Sequence, residues 1–68
     1  MNLQELEDFI KEKGRANTAD VMERFNIGYQ HAWRSLKSLG KYPNLKVTPV
    51  IEQRNKRSII IYYYEIES

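Results

Sequence analysis

From Asn26 to Leu39 the chain reads Asn-Ile-Gly-Tyr-Gln-His-Ala-Trp-Arg-Ser-Leu-Lys-Ser-Leu, a stretch that leaves few arrangements open. Gly28 follows the apolar Ile27 and is expected to let the chain turn sharply there. Ala32, Leu36 and Leu39 then recur at helical spacing as a core stripe. Gln30, Trp33, Arg34, Lys37 and Lys41 fall off that stripe and carry amide, indole, guanidinium and ammonium donors. The spacing predicts a helix from Tyr29 to Leu39, ended by Gly40. Trp33 stands at the margin of the stripe, and packing in the core or against a later element is the simpler reading of its ring.

The segments before this stretch are also helical. Asn2 with Glu5 three positions on resembles a capping box, and Leu3, Leu6, Phe9, Ile10 and the stem of Lys13 form a buried stripe up to the stop at Gly14. Gln4, Glu7, Asp8, Lys11 and Glu12 should face water. Arg15–Asn17 is a short extended connector. Asn17 or Thr18 caps a second helix, Ala19 to Phe25, with Val21, Met22 and Phe25 inward. Asp20 favours the positive end of that helix.

After the loop Lys41–Asn44 the period changes to two. Leu45, Val47, Pro49 and Ile51 alternate in one strand, Ser58 to Ile66 forms another, and Arg54–Arg57 connects them. Placing Gln53 opposite Ser58 pairs Ile51 with Ile60, Pro49 with Tyr62, Val47 with Tyr64 and Leu45 with Ile66 on one apolar face. The other face then pairs Val50 with Ile61, Thr48 with Tyr63 and Lys46 with Glu65, opposite charges worth up to ~1 kcal/mol. Pro49 puts its strand at a sheet edge. Arg15–Asn17 is expected to add a short third strand against Ser58–Ile66. The outward set Ile59, Ile61 and Tyr63 is apolar for a free surface, which suggests self-association as a homodimer.

A chain of 68 residues holds one domain at most, 1–68, and its core is marginal without help. Zero Cys excludes disulfides, and a single His leaves no His/Cys metal cluster, so neither metal nor cofactor is expected. No signal peptide, membrane span or small-molecule pocket is indicated, which points to the cytoplasm. With no Gly-rich phosphate loop and no nucleophile elbow, an enzyme is not expected. Charge is unevenly placed. Residues 1–28 carry four cations against six acids, residues 29–57 seven cations against one, and residues 58–68 two acids alone. A polyanion bound on one side suits that asymmetry.

Three helices followed by a C-terminal β-hairpin make an α+β chain whose order resembles the winged helix-turn-helix family, over about Leu3 to Ile66. The carriers are Thr18–Phe25, Ile27-Gly28, the Ala32/Leu36/Leu39 stripe and a hairpin with a basic tip. The run Ile27-Gly28-Tyr29-x-x-Ala32-x-Arg34 is also similar to the DNA-reading gamma domain of bacterial chromosome translocases. Those domains carry Asn where Gln30 stands and Arg where His31 stands. The resemblance implies a transcriptional regulator bound to double-stranded DNA, often as a dimer on a pseudo-palindrome. Gln30 and Arg34 suit base edges in the major groove. Tyr29, Lys37 and Lys41 suit phosphates, and Arg54, Lys56 and Arg57 at the wing tip suit a minor groove or backbone. The acidic face of the first helix belongs away from phosphate. The competing expectation is a protein-interaction module of a larger assembly, working through that acidic helix and the tyrosine-rich face.

Overall fold

The computed structural model describes residues 1–67. Its elements are α1 (Leu3–Lys13), β1 (Ala16–Asn17), α2 (Thr18–Phe25), α3 (Tyr29–Leu39), β2 (Leu45–Arg54) and β3 (Arg57–Ile66). The strands form one antiparallel sheet in the order β1-β3-β2, the layout of a winged helix.

Local chemistry starts and stops each helix. The Asn2 side chain accepts from the Glu5 N–H at 2.8 Å and opens α1. Gly14 closes it at φ 92°, a left-handed conformation that favours glycine. Asn17 caps α2 reciprocally: its Oδ1 accepts from the Asp20 N–H at 2.8 Å, and its own N–H donates to Asp20 Oδ2 at 3.0 Å. Thr18 is therefore the first helical residue, and Asp20 acts by hydrogen bonding as well as by charge.

The turn between α2 and α3 differs from expectation. Its left-handed residue is Asn26, at φ 52° and ψ 54°, and the following Ile27 N–H donates to the Met22 carbonyl at 3.1 Å. Gly28 is extended, at φ −77° and ψ 169°, and a Cβ built there would meet nothing within 4 Å. The bend thus belongs to Asn26, whose short polar side chain tolerates the left-handed region.

Leu6, Ile10, Ala16, Val21, Ala32, Leu36 and Leu39 are fully enclosed, one core fed by all three helices and β1. Leu3, Phe9, Met22, Phe25 and Ile27 pack against its rim, and the Phe9 and Phe25 rings meet edge to face at 5.7 Å. Lys13 stays exposed instead of contributing its stem.

The hairpin register is the one read from the alternation, from Leu45 opposite Ile66 to Gln53 opposite Ser58, but the ladder runs one pair further, to Arg54 opposite Arg57, so the connection is Asn55-Lys56 and not the four residues expected. Asn55 and Lys56 both have positive φ, 46° and 68°, as a two-residue loop between right-twisted strands requires. β2 is an edge strand, as Pro49 demands. Lys46 stands opposite Glu65, although among the described residues they form no ion pair.

Burial along the hairpin departs from the alternating pattern. Only Leu45, Tyr64 and Ile66 of the expected inward face reach the core. Val47, Ile51, Ile60 and Tyr62 of that face lie open, Ile51 at 69% exposure. Ile59, Ile61 and Tyr63, expected outside, are half-buried, and the Arg15 guanidinium lies 4.3 Å from the Tyr63 ring centroid. Length explains the overhang. An 11-residue helix is about 16 Å long, whereas a 10-residue strand reaches about 33 Å. The outer half of the hairpin therefore runs past the helices, within a molecule of 38 × 25 × 19 Å. The apolar surface left open is thus not the Ile59/Ile61/Tyr63 set that suggested self-association.

Candidate nucleic-acid interface

Helix α3 sets the geometry. Its buried residues, Ala32, Leu36 and Leu39, fix its rotation against the core. At about 100° per residue, Gln30, Arg34 and Lys37 then share an arc of about 60° on the opposite side. All three are exposed. Trp33 borders this arc and is 46% exposed, so it belongs to the outer face rather than to the core or the hairpin. The reason lies in the neighbouring stripe: a seam of Ala32, Leu36 and Leu39 already fills the inner side, and one step of about 100° carries Trp33 out of it. Lys37 folds back over the indole, its Nζ 4.9 Å from the ring centroid. That places a cation and a flat apolar ring side by side.

No acidic residue occurs in α3, and among the described residues Arg34, Lys37 and Lys41 form no ion pair. Lys41 stands just beyond the helix, exposed. The free cations of this face are thus not neutralised from among the described residues. The acids of the N-terminal half lie elsewhere: Glu7 is paired with Lys11 at 3.1 Å along α1, and Asp20 is engaged at the α2 cap.

The hairpin tip supplies the second group. Arg54, Lys56 and Arg57 are all exposed, but they are not equivalent. Arg54 Nε lies 3.0 Å from Glu52 Oε1, whereas Lys56 and Arg57 have no such partner among the described residues. An exposed pair of this kind is weak and exchanges readily, yet it draws Arg54 back along its own strand. Of the expected inward face of the hairpin, Leu45, Tyr64 and Ile66 pack against the core, and the tip cations and those of α3 sit on different elements.

Tyr29 links them. It opens α3, is 61% exposed, and lines with Arg54 and Tyr62 a cleft between the helices and the hairpin. Tyr64 lies deeper at the same junction. Its phenol is pushed above the usual tyrosine range by burial, with smaller contributions from Tyr29 and Tyr62, while a hydrogen bond with the Thr18 side chain acts the other way.

No family model matches the chain, nor does any curated protein or solved structure. Function therefore rests on the geometry. Among the described residues no helix is long and apolar enough to cross a membrane. What the sequence reading missed is the cleft beside Tyr29 and the strand edge that borders it. A signal existed: a two-residue β1 cannot cover a ten-residue β3.

Proposed function

We propose that the protein binds double-stranded DNA sequence-specifically, as a cytoplasmic transcriptional regulator without enzymatic activity. Helix α3 enters the major groove, and the wing tip meets the flanking backbone or minor groove. One observation carries the reading: Gln30, Arg34 and Lys37 project together from a helix that has no acid, on the side opposite the core. A major groove admits a helix presenting such a face, and Gln and Arg match the edges of adenine and guanine. Lys37 and Lys41 fall toward the helix end and suit phosphates. Trp33 adds an apolar surface against sugar or a thymine methyl. Of the tip cations, Lys56 and Arg57 are the free ones, and Arg54 must first leave Glu52.

The test is a selection on random duplexes followed by titration of variants at several salt concentrations. Arg34→Ala should cost about 1–3 kcal/mol on the selected site and relax one position of it. Lys56→Ala should weaken all sequences alike and reduce the salt slope by about 1. Failure to enrich any sequence, with no retention on heparin at moderate salt, would refute the proposal.

A protein-interaction role has its own support in the open apolar side chains of the hairpin, Val47, Ile51, Ile60 and Tyr62. Retention on DNA separates the two readings.

A further inference from the structure

The two long edges of the sheet are treated differently. A two-residue hairpin loop closes on a hydrogen-bonded pair, here Arg54–Arg57. Hydrogen-bonded and open pairs alternate from there, so Ile59, Ile61 and Tyr63 turn their backbone groups toward β2. Ser58, Ile60 and Tyr62 turn theirs the other way. On that side β1 meets only Tyr63 and Tyr64. The N–H and C=O groups of Ser58 and Ile60 therefore face an edge with no strand on it among the described residues, while Asn17 opposite Tyr63 brings Thr18, the first residue of α2, opposite Tyr62.

The outer edge of β2 is guarded by contrast. Pro49 lies opposite Tyr62 in an open pair, so its missing N–H falls on the outer side, and Lys46 precedes it along the strand. Proline and lysine are common means of discouraging strand addition. The run Ser58-Ile-Ile-Ile-Tyr62 has neither.

Beside this bare edge lies an open cleft of about 430 Å³, bordered by Thr18, Met22, Tyr29, Ile60, Tyr62 and Arg54. Among the described residues Arg54 is the only charged one lining it, and Lys56 and Arg57 stand unpaired at the same end. We propose that the edge takes an extended peptide segment of a partner protein as an added strand, its apolar side chains in the cleft and an acidic residue toward the wing tip. Four residues, Ser58 to Ile61, offer about 13 Å of edge, enough for a short segment. A second copy of the chain fits less well. Paired antiparallel through its own β3, its tip would run toward Asn17 of β1 and bring Lys56 and Arg57 toward Arg15, a like charge. The inference stands independently of DNA binding.

The probe is a fluorescein-labelled peptide, Val-Thr-Val-Thr-Val-Glu-Glu, whose acidic C-terminal end reaches the wing tip when it pairs antiparallel to β3, added to the full chain without DNA and followed by anisotropy. A counterpart with Lys-Lys in place of Glu-Glu is the control. Saturable binding is expected for the acidic peptide, at least tenfold weaker binding for the lysine peptide, and at least tenfold weaker binding of the acidic peptide to Ile60→Pro. The amide of Ile60 is outside the β2 ladder, so that variant removes an edge donor while leaving the hairpin bonds in place. Amide hydrogen exchange on the unmodified protein gives a second readout: Ser58 and Ile60 should slow on peptide addition. Equal binding of both peptides, or no slowing at those amides, would overturn the proposal. So would sedimentation of the protein alone as a dimer that Ile60→Pro dissolves, which would assign the edge to a second copy.

Discussion

At the scale of the residue, the turn before α3 shows how little a residue type says without its dihedral angles. Gly28 sits where a sharp turn is needed, yet it is extended, and the left-handed residue is Asn26 two positions earlier. Asn26→Val should cost about 1–2 kcal/mol, because a β-branched side chain is strained in that region. Gly28→Ala should stay within ~0.5 kcal/mol. The reduced entropy of the unfolded chain favours the alanine, and its poorer helix-capping preference opposes it. Urea denaturation of both variants decides the matter, and a larger loss at Gly28 would restore the turn to the glycine. Trp33 teaches the same lesson: adjacency to Ala32 suggested packing, while its side chain stands outward under Lys37.

Among elements, the junction of β1 and α2 is the tightest. Asn17 pairs with Tyr63 as a strand residue and caps α2 in the same position, so no linker separates strand from helix. Its capping box uses two bonds, whereas Asn2 uses one at the exposed start of α1. Asn17→Ala should therefore lower stability by about 1–2 kcal/mol and Asn2→Ala by about 0.5 kcal/mol, read from denaturation midpoints. Equal losses would mean that the reciprocal bond from Asp20 adds nothing. The hairpin was the most legible element in the sequence, because its alternation, Pro49 and the Lys46–Glu65 pairing admit one register. Its turn is not legible there: the sequence points to Arg54–Arg57 as the connection, whereas the loop is Asn55-Lys56, and Lys56 at φ 68° is not a residue type that announces positive φ.

At the scale of the molecule, one core, seven enclosed residues among those described, carries the fold, and apolar side chains of equal hydrophobicity differ according to their distance from it. Leu36→Ala should cost about 2–5 kcal/mol, a large share of the stability a chain this small can have. Ile51→Thr, on the overhanging hairpin, should change stability by less than ~0.5 kcal/mol. Thermal unfolding of the pair checks whether the outer hairpin is bare. A severe loss at Ile51 would show that something covers it. The sequence by itself determined the element order, the helix limits apart from the start of α2, the strand register from Leu45–Ile66 to Gln53–Ser58 and the outward cations of α3, because each follows from periodicity and capping within a few neighbouring residues. The tertiary structure alone decided which half of the hairpin touches the core, where Trp33 goes, how Arg54 is occupied and that β3 keeps a bare edge. Those depend on the relative lengths and docking of elements far apart in the chain, which local pattern does not encode.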